Sequence, residues 1–166
     1  IPFYDKEAIC RLAKEKGIYN KYPYFYGEMP LDMMIYADSM AGEDGSDRCK
    51  TPGRALSDII GGENCVVVGR CGNNAFRHRD DLISVFLSGD KKKREELIEK
   101  KHNVSHNKAV KIVEDTDMRR STYHQYYTGE EWGGAGNYDI CIDVSRVGKD
   151  AALRLIEEYI TETGVL

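Results

Sequence analysis

Three short apolar runs, set apart by stretches with helical periodicity, constrain this chain more than any other feature. They are Cys65-Val66-Val67-Val68-Gly69, Leu82-Ile83-Ser84-Val85-Phe86-Leu87 and Tyr138-Asp139-Ile140-Cys141-Ile142-Asp143. Each is short and carries the β-branched or aromatic residues that fit a pleated surface, so each predicts a strand. The first is apolar without a break, which predicts a strand covered on both faces of a parallel sheet. A weaker run of the same character is Ile1-Pro2-Phe3-Tyr4.

The stretches between the runs follow the helical period. Residues 5–16 begin at Asp5, stop at Gly17, and set Ala8, Leu12 and Ala13 at helical spacing. Residues 90–101 are strongly charged, with Leu97 and Ile98 apolar. Residues 105–120 gather Ala109, Val110, Ile112 and Val113, and residues 149–160 gather Ala152, Leu155, Ile156 and Tyr159 into an amphipathic closing helix. Strands alternating with helices predict an α/β fold: a parallel sheet between helical layers. Residues 22–62 are less regular. Three of the four prolines lie there, with the polar patch Gly42-Glu43-Asp44-Gly45-Ser46-Asp47, which predicts helices separated by mobile turns.

Composition narrows the function. A chain of 166 residues, 41% hydrophobic and 31% charged, suits one soluble globular domain over residues 1–166. No stretch approaches the roughly 18 apolar residues of a membrane span. A net charge of −4 argues against a general nucleic-acid binder, whose surface would be basic. A small anionic ligand stays open, because local arginines decide its binding. The five cysteines are odd in number and form no CxxC pair, which predicts reduced thiols in a cytoplasmic setting and no structural metal.

Two clusters could carry chemistry. Val68-Gly69-Arg70 ends the strongest strand, and ligands of open α/β sheets bind beyond strand carboxyl ends. A glycine there lets a ligand approach the backbone, and an arginine offers a planar fork to phosphate oxygens. The plainer reading is a surface arginine after a strand. Asp117-Met118-Arg119-Arg120 closes a helix, with Asp117 and Arg120 on one face. That pair could hold a ribose hydroxyl and a phosphate, or could be an ordinary surface ion pair worth about 0.3–0.5 kcal/mol. Tyr123, Tyr126 and Tyr127 share a face suited to core packing more than to base stacking. His102 and His106 have zinc-helix spacing without the glutamate of HExxH, so a solvated pair is expected. Lys91-Lys92-Lys93-Arg94 reads as a solvated face, and Arg77-His78-Arg79-Asp80-Asp81 as a charged turn.

Taken in order, these pieces resemble the cytidylate-kinase-like family of P-loop nucleotide kinases. The likeness rests on Ile1-Pro2-Phe3-Tyr4-Asp5-Lys6-Glu7, on Cys65 to Cys71 with its Gly69-Arg70, on Val85-Phe86-Leu87 followed by Arg94, and on Asp117 to Arg120 with Tyr123, Tyr126 to Gly129 and Trp132-Gly133. It closes with Asn137 to Ser145. The resemblance implies a three-layer P-loop NTPase-like parallel sheet, an acceptor-binding helical region over about 22–62 and a helical lid over about 101–133. It implies transfer of the ATP γ-phosphate, with Mg²⁺, to CMP or dCMP. By resemblance, Arg70 grips the acceptor phosphate, Arg120 closes over the transferring group, and Asp117 contacts the acceptor ribose. Asp5 borders the acceptor or magnesium site, and Arg94 and Arg119 serve the donor side. The family's glycine-rich phosphate loop, GxxxxGK[ST], has no counterpart in these residues, so an N-terminal strand and loop are expected ahead of Ile1. Cys71 stands where the family usually has an aspartate, and Val113 where it has a second arginine. The alternatives are therefore a kinase for another small phosphorylated acceptor, or a non-catalytic nucleotide-binding regulatory module.

Overall fold

The structure, a computed structural model, describes residues 1–22, 24–41 and 51–165. The polar patch at 42–47 and Cys49 lie outside the described residues. Two compact units emerge: Ile1–His78 with Arg119–Trp132, and Arg79–Met118 with Gly133–Leu166.

In the first unit, strand β1 (Phe3–Tyr4) leads into helix α1 (Lys6–Glu15). Asp5 caps that helix by accepting from the Ala8 amide at 2.8 Å, and Gly17 leaves it at φ 70°. Both ends were legible, because a short acceptor satisfies a free helical N–H and glycine tolerates the left-handed exit. A 3₁₀ turn (Tyr19–Lys21) and an aromatic loop follow, then helices α2 (Leu31–Ala41) and α3 (Thr51–Ile60). Helix α3 buries Pro52, Ala55, Leu56, Ile59 and Ile60, the i, i+3, i+4, i+7, i+8 stripe of a helix against a core. Its partners in that core are Ile9, Ala13, Tyr22, Phe25 and Tyr26.

Strand β2 (Val66–Val67) pairs in parallel with β1, Phe3 opposite Val66 and Tyr4 opposite Val67. The expectation of a strand covered on both faces fails here. Cys65 and Val67 pack on the core beneath α1 and α3, whereas Val66 and Val68 are 49% and 51% exposed. Phe3, directly across from Val66, is also exposed. The pleat sends alternate side chains to opposite faces, and among the described residues only one face of this pair is covered.

The second unit holds strands β3 (Val85–Ser88) and β4 (Ile140–Asp143), parallel and in register from Val85 opposite Ile140 to Ser88 opposite Asp143. Asp139 starts the ladder, its carboxylate accepting from the Ser84 amide and hydroxyl at 2.6 Å each. Helix α5 (Lys91–His102) is capped by Asp90, which accepts from the Lys93 amide, and its last turn carries Lys100, Lys101 and His102 against the helix dipole. Helices α7 (Val144–Val147) and α8 (Lys149–Thr163) close the chain.

One short helix and one long one remain. The four-residue α4 (Gly72–Ala75) follows β2. Helix α6 (His106–Thr128) runs eight residues beyond the expected 120, its early turns in the second unit and its last in the first. It continues because Tyr123, Tyr126 and Tyr127 are all buried, extending the apolar stripe by two more turns. The sheet itself differs from the three-layer expectation. The described residues form two separate two-stranded parallel sheets, order β1-β2 and β3-β4, rather than one continuous P-loop-type sheet.

Candidate functional site

Among the described residues of the first unit, the turn after β2 holds the non-glycine residues with left-handed backbone. Gly69, Arg70 and Cys71 follow one another at φ 78°, 54° and 57°. Left-handed geometry costs a residue with a Cβ roughly 1–2 kcal/mol, and such strain persists where the surroundings fix it, often at functional sites. Here the turn drives the Arg70 side chain inward. Its Nη1 donates to the Phe25 and Tyr26 carbonyls at 3.1 and 3.2 Å, and its Nη2 meets the Glu28 carboxylate. The guanidinium carbon lies 4.4 Å from the centre of the Tyr123 ring, and the Tyr123 hydroxyl donates to the same Phe25 carbonyl at 2.8 Å. Arg70 is 5% exposed, so this is not the open surface arginine of the plainer sequence reading.

Burial governs the titration of these neighbours. It pushes the Tyr123 phenol well above its usual range, with Arg70 pulling the other way. It pushes the Cys71 thiol up to about 12, again against Arg70 and with Glu130 adding to the rise. Cys71 is therefore a neutral, weak donor and not a thiolate. Beside it, Arg77 pairs with Glu130, whose carbonyl lies 3.2 Å from His124 Nδ1.

The tyrosines serve packing. Tyr123, Tyr126 and Tyr127 cluster with Met34 and Cys71, and the Tyr126 hydroxyl donates to the Met34 carbonyl at 3.2 Å. No ring face of these three is open enough to take a base, since each is buried.

In the second unit Arg94 grips Asp117. Its Nη1 reaches both carboxylate oxygens, at 2.9 and 2.8 Å, while its Nε donates to the Gly89 carbonyl. The two side chains are 38% and 31% exposed, so the pair is partly wet. The basic run is more tied down than a solvated face. Lys91 reaches Glu114 at 2.6 Å and Lys93 donates to the Ser145 carbonyl at 2.7 Å. Arg79 and Asp81 form a two-bond pair, as a charged turn should. His106 lies 3.4 Å from Glu99.

The expected site residues thus fall into three groups. Arg70 sits in a buried cradle. Asp117 and Arg94 hold each other, so Arg94 serves Asp117 in this state. Arg119 and Arg120 are exposed and carry no ion pair among the described residues. Asp5 spends one carboxylate oxygen on capping α1. Sequence reasoning missed Glu28 and the Phe25 and Tyr26 carbonyls. The available signal was an acidic residue set between Gly27 and Pro30 directly after a run of aromatics.

The described residues form an α/β chain whose arginine-bearing turn follows a parallel strand, with two exposed arginines on helix α6 that carry no ion pair among the described residues. The chain belongs to the cytidylate kinase-like family, whose model matches residues 1–146. That membership places it among kinase-type phosphotransferases and leaves the acceptor open. The fold is similar to the crystal structure of an uncharacterized protein from Eubacterium ventriosum ATCC 27560. The TM-score is 0.68 and the identity 24%, over 98% of this chain and 84% of that one. No curated protein matches the sequence. Among the described residues no helix is long and apolar enough to cross a membrane.

Proposed function

We propose that the protein moves the γ-phosphate of ATP to a nucleoside monophosphate, with CMP or dCMP as the acceptor. The family match over residues 1–146 carries this reading. Phosphoryl transfer asks a protein chiefly to position its reactants and to balance charge, and the arginines described above suit that task. Arg70 receives the acceptor phosphate and Arg120 closes over the transferring group. Asp117 takes the acceptor ribose through lone pairs that Arg94 leaves free, and Asp5 borders the acceptor. Closure of the lid region, 101–133, keeps water from the reaction.

ATP with Mg²⁺ would supply the phosphoryl group. Arg119 and Arg120, exposed and without an ion pair among the described residues, fit the donor's phosphate oxygens. A glycine-rich cradle for its β- and γ-phosphates is not among these 166 residues, so no further donor contact is assigned.

Cys71 favours a second reading, a kinase for another small phosphorylated acceptor. A buried neutral thiol offers a pyrimidine edge far less than a carboxylate does. ATP consumption by the full-length protein against CMP, dCMP, UMP, AMP and GMP separates these readings. Selective turnover with CMP or dCMP supports the first. Selective turnover with another acceptor supports the second. Nucleotide binding with no turnover on any acceptor supports a regulatory binding module.

A further inference from the structure

The Arg70 guanidinium is held on three sides by groups that cannot leave independently, and on the fourth by one that can. Two backbone carbonyls fix Nη1, and the Tyr123 ring lies against the plane. Glu28 is the one of these groups whose side chain reaches the surface. Its side chain is 21% exposed against 5% for Arg70, so it has a path to water that Arg70 lacks. Glu28 also satisfies the guanidinium incompletely. Nε and Nη2 form the edge on which a planar fork takes an oxyanion through two parallel bonds. Arg79 uses that edge in full on Asp81, at 2.7 Å from Nε and 2.6 Å from Nη2. On Arg70 only Nη2 of that edge is used, and Nε is buried with no hydrogen-bond partner among the described residues. A buried N–H without an acceptor is costly, and Nε keeps an unused donor direction that the second oxygen of a bidentate oxyanion would satisfy.

We propose that Glu28 is a gate on Arg70: it holds one of two oxyanion positions, and an acceptor's phosphate displaces it by filling both. The proposal rests on the reading that Arg70 receives the acceptor phosphate, and it adds a specificity rule to that reading. A phosphate monoester dianion brings two oxygens and more charge than the carboxylate it replaces, so it wins the exchange. An uncharged nucleoside does not move Glu28. A single carboxylate gains only the second hydrogen bond. Glu28 therefore selects phosphorylated acceptors by making every acceptor break an existing ion pair. Once displaced, it swings to solvent, while the carbonyls and Tyr123 keep the guanidinium aimed.

The test is equilibrium binding of CMP, with cytidine as the uncharged control, to the full-length protein and to Glu28→Gln, Arg70→Gln and the double variant. Gln keeps the size and one acceptor oxygen of Glu28 but removes the charge that holds Arg70. Glu28→Gln is expected to bind CMP about tenfold more tightly, the equivalent of one charge-assisted bond that no longer has to be broken. Cytidine affinity should not change, and the gain should vanish on the Arg70→Gln background. If Glu28→Gln does not fold, Glu28→Asp, whose shorter carboxylate withdraws from Arg70, should show a smaller gain of the same sign. Two results overturn the proposal in distinguishable ways. Weaker CMP binding in Arg70→Gln with no gain in Glu28→Gln would leave Arg70 as the phosphate ligand and reduce Glu28 to a structural partner. CMP binding indifferent to both substitutions would remove Arg70 from the acceptor site and the gate with it.

Discussion

Replacing Arg120 should cost activity alone, whereas replacing Arg70 should cost stability as well, because the two arginines stand in opposite surroundings. Arg70→Met keeps an unbranched stem of similar reach but deletes the cation. The Phe25 carbonyl keeps its bond from Tyr123, whereas the Tyr26 carbonyl and the Glu28 carboxylate lose their donor. Glu28 can turn toward water once its partner is gone, so the cost comes from the lost charge-assisted bonds, the unpaired Tyr26 carbonyl and the lost contact with Tyr123, together about 2–4 kcal/mol. Arg120 is exposed with no ion pair among the described residues, so Arg120→Ala should change stability by no more than about 0.5 kcal/mol. Trp132 is the only tryptophan and lies in the same unit as Arg70, so its fluorescence during urea unfolding reads the relevant unit. For a chain of this size the Arg70→Met loss corresponds to a midpoint lower by about 10 °C in a thermal scan. Activity in Arg120→Ala should fall tens- to thousands-fold with stability intact, the effect of removing a donor from a transferring phosphate. An Arg70→Met variant within about 1 kcal/mol of the wild type would refute the reasoning. It would mean that the guanidinium is not the group that holds the loop at Phe25 to Glu28.

Two further substitutions probe local geometry and titration. Gly133 has φ 80°, and a Cβ added there would stand 2.7 Å from Phe86 Cζ and 2.9 Å from Cε1. Gly133→Ala combines left-handed strain with overpacking and should lose about 2–4 kcal/mol by thermal unfolding; Phe86→Leu in the same chain should recover only the steric part. Cys71 is raised from its ordinary 9.0 to about 12, chiefly by burial, so the folded chain holds that proton more tightly than the unfolded one. The resulting stabilisation is complete below pH 9.0 and is lost as pH rises toward 12. The urea midpoint should therefore fall with pH across that window, and fall less steeply in Cys71→Ala; equal slopes would contradict the burial account.

Local chemistry was readable at the element ends. Asp5 and Asp90 announce helices α1 and α5 because a capping carboxylate acts on an amide three residues away. Gly17 announces an exit for an equally local reason, its freedom at positive φ. For the proposed site the sequence offered residue types and not their arrangement. Arg70, Asp117 and Arg94 were all picked out, but Asp117 was paired in expectation with Arg120, one turn away on its own helix. The structure gives its carboxylate to Arg94, 23 residues earlier in the chain. Glu28 was not picked out at all, because its meaning depends on an arginine 42 residues distant.

The sequence by itself determined which segments are helices and strands, where several of them begin and end, and the family to which the chain belongs. Those properties rest on periodicity, capping and ordered motifs, each set by neighbours within a turn or two. The tertiary structure alone decided that β2 is covered on one face, that Arg70 turns inward onto carbonyls and Glu28, and that Arg94 takes Asp117. Each of these depends on which distant backbone or charge comes within about 3 Å of a given group, a distance set by packing and absent from any local pattern.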